Sequence, residues 1–181
     1  MSNFFKNTDI DTSQVEAIVT ETLNNCDDGE LYLENHKSES IVLDDNKIKS
    51  STYNSDQGYG FRAVTGEVVA YSHSNDISKQ SLRKSSENLK DTLKSKKGTY
   101  NHEIPKTNIK YYENINPIES KTFDSKIDLL NSVNNYLRSK GSIVNQVTAN
   151  FLGEHKSIEI IRSDNQVLKD DRPLVRFNVS V

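Results

Sequence analysis

The residues of this sequence that could bind a metal are its four histidines, and their spacing does not form a metal site. His102-Glu103 resembles the start of a zinc-binding His-Glu-x-x-His helix, but Lys106 takes the place of the second histidine. Pro105 would also break the helix that aligns such ligands. The other histidines lie in separate segments without ligand spacing: His36, His73 and His155. We therefore expect no zinc site made from this chain alone.

The single cysteine, Cys26, is a weak candidate for a nucleophile because it ends an amphipathic stripe, where a small apolar residue is wanted. One thiol cannot form an internal disulfide, which points to a reducing compartment. Met1–Lys6 has no apolar signal-peptide core, and no apolar run approaches the ~20 residues that span a bilayer. We expect cytoplasmic localisation without a membrane partner.

Two glycines and three arginines are the remaining candidates for a binding role. The run from Gly58 to Ala63 matches the dinucleotide fingerprint G-x-G-x-x-A, but that fingerprint requires a strand that turns into a helix, and here a hairpin follows. The glycines therefore favour a bulge or a close approach of another backbone. We expect a peptide to add a strand at an open sheet edge near Gly58–Arg62, with valine at both glycines abolishing binding but not folding.

The arginines could clamp a carboxylate or an extended peptide backbone on an α+β scaffold. The favoured alternative is a surface ion pair with a nearby carboxylate, namely Asp56, Asp170 or Asp171. The candidate peptide or interdomain contacts are Gln57, Gly58, Gly60, Arg62, Arg172 and Arg176.

The composition bounds the class of protein. A chain of 181 residues fits one domain, and we expect a single domain over residues 1–181. The net charge of −3 excludes a strong attraction to nucleic acid or acidic lipid. The hydrophobic fraction of 33% and the mean hydropathy of −0.73 are low for a self-contained globule. Either the loops are long and polar, or something outside the chain completes part of the fold.

Periodic apolar residues predict three helices, at about Ser13–Cys26, Asp76–Ser95 and Phe123–Lys140. Ser13 with Glu16 indicates the first cap, and Asp76 the second. The third helix carries an apolar stripe: Ile127, Leu130, Val133, Tyr136 and Leu137. Residues 94–121 read as a long loop.

Short strands are predicted within 30–72 and 144–181, including a hairpin at Thr65-Gly66. Together these elements predict an α+β fold, a largely antiparallel mixed sheet with about three helices packed on it.

Two blocks of this sequence resemble the TldD/PmbA family, also called modulators of DNA gyrase. One runs from Glu39 to Lys49 and continues from Tyr53 to Gly66, with the Tyr-Asn-x-Asp-Gln-Gly-x-Gly-x-Arg run closest to TldD. The other comprises Val147–Ala149 and Asp171–Val181. The helices between them match only in placement.

The resemblance implies the N-terminal domain of a cytosolic zinc metalloprotease that processes peptides and unfolded proteins. In that family TldD-type and TldE-type subunits pair, the N-terminal domain helps wall a central cavity, and zinc is held by a later His-Glu-x-x-x-His motif and a distant cysteine. No counterpart of that catalytic domain or its zinc ligands is present here, so no catalytic residue carries over.

The expected partners are the catalytic domain, a TldE/PmbA-like subunit and peptide substrates, without direct nucleic-acid contact. Two alternatives stay open: a free-standing partner- or peptide-binding module without protease activity, and a decayed gene fragment.

Overall fold

The computed structural model describes residues 4–6, 8–94, 98, 109, 111–164 and 166–181. His102-Glu103, Pro105 and half of the predicted loop lie outside these residues. The helices are α1 (Thr12–Leu23), α2 (Lys79–Leu93) and α3 (Phe123–Arg138). The strands are β1 (Asp28–Asp44), β2 (Lys47–Thr65), β3 (Val68–Ser74), β4 (Thr148–Arg162) and β5 (Val167–Ser180).

The strands form one five-stranded sheet in the order β3-β2-β1-β4-β5. The described residues contain the three expected helices, and the predicted α+β class is confirmed. The predicted short strands were wrong in their bounds, because neighbouring segments join into single long strands: residues 30–43 belong to β1, and residues 47–64 to β2. None of the helices in the described part of the chain has the length and hydropathy of a membrane span.

Two tight turns set the register of β1, β2 and β3. Asp45 and Asn46 have φ angles of 49° and 65°, which are the positive values that a two-residue type I′ turn requires. The next turn consists of Gly66 and Glu67, since Thr65 already pairs with Val68. The predicted turn at Thr65-Gly66 was therefore displaced by one residue, and Gly66 supplies the positive φ of 59°.

The chain divides into two compact units. Unit 1 comprises Met1–Asn35, Asp56–Tyr111 and Ser157–Asp170, and unit 2 comprises His36–Ser55, Tyr112–Lys156 and Asp171–Val181. Strands β1, β2, β4 and β5 each contribute residues to both units. The expectation of a single domain stays a prediction.

Unit 1 holds the larger core, built from α1, α2 and the sheet. Phe61, Leu31 and Leu33 are fully buried in it. The cap of α1 is Asp11, which accepts from the Gln14 backbone N–H at 2.8 Å. Predicting Ser13 as that cap was wrong, and Asp76 likewise does not cap α2. The hydroxyl of Ser78 accepts from the Ser81 N–H there.

Unit 2 has a smaller core cluster, formed by α3 with β1 and β4: Ile41, Leu43, Leu130, Ala149 and Phe151. The face that α3 buries carries Lys126, Leu130 and Asn134, so two of its three buried residues are polar. The predicted apolar stripe was wrong at Tyr136, which is 60% exposed. The buried ammonium group of Lys126 has two partners. Its Nζ pairs with the Glu39 carboxylate and donates a hydrogen bond to the Ile118 carbonyl at 2.6 Å.

Candidate interaction surface

The sheet is already paired where an open edge was expected. Tyr59–Thr65 of β2 pair antiparallel with β3, placing Gly60 opposite His73 and Arg62 opposite Tyr71. The prediction of an open edge at Gly58–Arg62 was therefore wrong. Gln57, just before this paired stretch, is exposed.

Gly58 and Gly60 make room for β3 of the same chain. A Cβ at Gly58 would lie 2.8 Å from the Ser74 carbonyl oxygen, and one at Gly60 would lie 2.6 Å from the Tyr71 hydroxyl. The close backbone approach that the glycines indicate is thus present at Gly58, and a tyrosine ring lies at Gly60. Valine at both positions would disturb the fold, contrary to the expectation from sequence.

Alanine at the two glycines should have unequal effects. We expect Gly58→Ala to lower the free energy of unfolding by about 1–3 kcal/mol, because the obstructing atom belongs to backbone that cannot move alone. Gly60→Ala should cost no more than about 0.5 kcal/mol, because the Tyr71 ring is 63% exposed and can turn aside. Urea denaturation of the two variants measures the difference, and equal losses would contradict this explanation.

Arg62 lies in a network of charges in unit 1. Its Nε donates to Glu30 Oε1 at 2.6 Å, and its Nη2 donates to Glu30 Oε2 and Asp28 Oδ2, both at 2.7 Å. Arg162 Nη2 donates to the other oxygen of Asp28 at 2.8 Å. The hydrogen bond to Glu30 is the main cause that raises the pKa of Arg62. Burial alone would raise the pKa of Asp28. The hydrogen bond and the positive charge of Arg62 outweigh the effect of burial, so the pKa of Asp28 is lowered.

This network matches the ion-pair alternative for Arg62, although with partners that sequence reasoning missed. Glu30 and Asp28 are 32 and 34 residues away along the chain. The sequence signal for this pairing is the alternation of polar and apolar residues. Asp28 and Glu30 take polar positions of β1, and Arg62 takes a polar position of the neighbouring strand β2. A peptide contact at Arg62 stays a prediction.

The two other arginines lie on β5 in unit 2. Arg172 and Arg176 are exposed, and their spacing of four residues places them on the same face of the strand. Gln57, Gly58, Gly60 and Arg62 belong to unit 1. Each group is therefore a candidate contact within its own unit.

The last part of β5, Pro173–Val181, is an exposed apolar stretch and is here named the β5 edge. Strand β5 ends the order of the sheet, so the described residues place a strand on one side of it only. Its large apolar side chains are exposed by 37–68%: Leu174, Val175, Phe177, Val179 and Val181.

The donor residues do not fit a zinc site in the part of the chain that the structure describes. No group of three or more His, Cys, Asp or Glu side chains there could hold a metal ion. His36 faces Glu154 at 3.6 Å, and His155 meets Asn114 at 3.0 Å. Burial raises the pKa of the Cys26 thiol, which makes it a poor nucleophile.

Asp44, at the end of the β1–β2 hairpin, should titrate at unusually low pH. It accepts hydrogen bonds from Lys49 and Gln146 at 2.8 Å and from Thr148 at 2.9 Å, and the Lys49 bond is the largest cause that lowers its pKa to about 2. The stabilisation is therefore present at neutral pH and is lost as the pH falls through about 2.

Carboxyl-carbon NMR of the folded protein measures this titration. Lys49→Ala should move the Asp44 midpoint upward, whereas Lys47→Ala serves as the matched control for a change in net charge. An Asp44 midpoint near the ordinary aspartate value in the parent protein would contradict the hydrogen-bonded arrangement.

Two family models match the chain in succession. The model described as PmbA/TldA metallopeptidase domain 1 matches residues 29–95, and the model of the central domain of the same metallopeptidases matches residues 116–181. Together they account for more than half of the chain. The chain belongs to the PmbA/TldD family.

Individual TldD homologues are similar over most of this chain. The protein named metalloprotease TldD homolog of Buchnera aphidicola from Acyrthosiphon pisum is 34% identical over 156 residues, which is 86% of this chain and 32% of that protein. The protein of the same name from Haemophilus influenzae is 34% identical over 163 residues, 87% of this chain and 33% of its own length. The chain thus spans about a third of the length of these PmbA/TldD relatives.

Solved structures of the family share the fold at low sequence identity. A modulator of DNA gyrase from Thermotoga maritima has a TM-score of 0.69 at 11% identity, covering 92% of this chain and 41% of that protein. The corresponding protein from Bacteroides thetaiotaomicron has a TM-score of 0.67 at 13% identity, with 92% and 40% covered. TldE from Thermococcus kodakarensis has a TM-score of 0.59 at 10% identity, with 92% and 42% covered.

Proposed function

We propose that this chain is the N-terminal, chamber- and interface-forming part of a TldD-like zinc metalloprotease that processes peptides and unfolded proteins. The observation that carries the proposal is the 34% identity to metalloprotease TldD homologues over 86% of the chain. The first and central family domains that it matches support the same role. Both units together make up this N-terminal part, which works in the cytoplasm.

The chain contributes no catalytic group in this proposal. Zinc and the residues that activate water are supplied by another part of the longer enzyme. A zinc-bound water is the nucleophile of such proteases, and this chain positions the polypeptide.

The exposed strand edges of unit 2 are the proposed walls of the chamber and the contacts with other parts of the enzyme. Residues 47–55 of β2 are exposed throughout, and β3 pairs with β2 only from Tyr59 onward. An extended peptide can add a strand to such an edge by backbone hydrogen bonds, with little demand on its sequence. In unit 2, Arg176 is exposed, and in unit 1, Gln57 is exposed.

Gly58, Gly60, Arg62 and Arg172 remain proposed contacts of the peptide, the catalytic domain or a TldE/PmbA-like subunit. Support for the subunit comes from the shared fold of TldE, the Thermococcus kodakarensis protein of that name. The edge of β2 extends the proposed peptide contact to residues that sequence reasoning missed.

The first experiment determines the mass of the native gene product in source cells by immunoblot against this chain. We expect a band well above 20.5 kDa, with zinc and peptidase activity in the purified native protein. The separate 181-residue chain should neither hold stoichiometric zinc nor cleave an unfolded protein such as reduced casein.

Cleavage by the separate chain with zinc would overturn its non-catalytic role. A native band at 20.5 kDa, with no co-purifying zinc peptidase, would overturn the protease proposal and favour a partner-binding module.

A further inference from the structure

The limits of the two family domains do not coincide with the limits of the two compact units. The first family domain covers residues 29–95, and the central domain covers residues 116–181. Residues 36–55 fall within the first family domain but belong to unit 2, whereas residues 157–170 fall within the central domain but belong to unit 1. Each family domain therefore contributes a segment to the unit that is otherwise built mainly from the other.

We infer that neither family domain folds by itself, and that the cooperative folding units of this chain are unit 1 and unit 2. Each family domain is the partner that completes the other, through strands exchanged within one chain. The exchange does not depend on the proposed protease role, so a negative result would leave that role untouched.

The core of unit 2 is completed by the first family domain. Ile41 and Leu43 of β1 are fully buried there, in one cluster with Leu130, Ala149 and Phe151 of the central domain. Without the two β1 side chains, the cluster would retain only the three residues of the central domain. Three such side chains bury too little apolar surface to offset the conformational entropy of ordering a helix and a strand.

Polar groups in unit 2 also connect the two family domains. The buried Lys126 of α3 pairs with the buried Glu39 of β1. Asp44 accepts hydrogen bonds from Gln146 at 2.8 Å and from Thr148 at 2.9 Å. Because a buried charge without its partner is strongly destabilising, β1 and α3 stabilise each other only when both are present. Further pairs between residues 36–55 and the central domain are Lys37 with Glu119, Asp45 with Arg138, and Asn46 with Asn134.

The larger core, in unit 1, is completed by the central domain. Ile161 of β4 is fully buried in that core, and Val167 of β5 packs against it. Four of the five residues 157–161 are buried. Arg162 Nη2 donates to Asp28 Oδ1 of β1 at 2.8 Å. Residues 157–170 are therefore part of the same core as α1 and α2.

The order of the strands gives the physical reason for the exchange. The first family domain supplies nearly all of β1, β2 and β3, and the central domain supplies β4 and β5. Strands β1 and β4 are hydrogen-bonded neighbours in the middle of the sheet order. Separating the family domains would leave the backbone N–H and C=O groups along both strands without partners.

Two isoleucine variants of the intact 181-residue chain test the exchange. Ile41 and Ile161 are both fully buried on strands, but each lies in the unit that the other family domain mainly builds. We expect Ile41→Ala to accelerate amide exchange in α3 at least about tenfold and to leave α1 and α2 unchanged within about twofold. Ile161→Ala should do the reverse. Native-state hydrogen exchange followed by mass spectrometry measures both variants.

The matched controls are Leu31→Ala and Phe151→Ala, because each of these residues lies in the unit that its own family domain mainly builds. The first should accelerate exchange in α1 and α2, and the second in α3. If an alanine variant does not fold, Ile41→Val and Ile161→Val each remove one methyl group. These milder variants should show the same pattern at roughly two- to tenfold.

Two outcomes would overturn the inference. In the first, exchange follows the family domains, so that Ile41→Ala acts on α1 and α2, and Ile161→Ala acts on α3. In the second, both variants accelerate exchange equally in all three helices, because the whole chain would then open as one cooperative body.

Discussion

Replacing Lys126 with methionine should lower the free energy of unfolding of unit 2 by about 3–5 kcal/mol. Lys126 is 5% exposed and pairs with Glu39, which is 8% exposed. Removing the ammonium leaves the Glu39 carboxyl group buried without its partner. The Ile118 carbonyl also loses the hydrogen bond that Lys126 donates at 2.6 Å.

A double replacement separates the value of the pair from the cost of breaking it. Glu39→Leu with Lys126→Met should recover much of the lost stability, because apolar residues of similar size often replace a buried ion pair at little cost. Lys121→Met, at an exposed lysine of the same unit, is the matched control. Denaturant unfolding with hydrogen exchange of α3 amides measures all three. A double variant less stable than either single variant would contradict the account.

Phe61→Ala should lower the free energy of unfolding of unit 1 by about 3–5 kcal/mol. The Phe61 ring is fully buried in the larger core, where α1 and α2 pack with the sheet. The truncation removes apolar contacts and leaves a cavity that rigid strands cannot close.

Tyr53→Ala is the matched control on the same strand, because that ring is 55% exposed. Its effect should stay within about 0.5 kcal/mol. Urea unfolding monitored by far-ultraviolet circular dichroism measures both variants. Similar losses of unfolding free energy in the two variants would mean that Phe61 does not stabilise the core as its burial indicates.

Local sequence predicted those parts of the fold that local chemistry decides. The turn residues Asp45, Asn46 and Gly66 have the positive φ angles that their types favour. The apolar period also located the three helices, and Leu31, Ile41 and Phe61 were on predicted strands. The predicted helix caps differed from the observed caps, Asp11 and Ser78, by only a few residues. Neighbouring residues of similar type compete for the same backbone N–H groups.

The continuity of the strands was not predicted because hydrophobic alternation reports burial and not backbone conformation. Strand β1 alternates between buried and half-buried residues near both ends, but the five residues 34–38 are all half-buried. This lapse coincides with the division between the units at Asn35 and His36. Backbone hydrogen bonds to neighbouring strands keep the segment extended, and no local pattern records them.

The candidate surface depends even more on tertiary structure. Gly58, Gly60 and Arg62 are contact candidates by residue type, but β3 covers the two glycines and Glu30 binds Arg62. The free backbone edge of β5 follows from its place at the end of the sheet order.

The sequence by itself determined the family, the α+β class, the turn positions to within one residue and the apolar residues available for a core. Those properties depend on residue type and short-range spacing, which a single sequence contains. Only the tertiary structure decided which strands stay unpaired and which charges meet. It also decided that α3 buries Lys126 in place of Tyr136. These outcomes depend on contacts between residues that are far apart along the chain, such as Lys126 and Glu39, 87 positions apart.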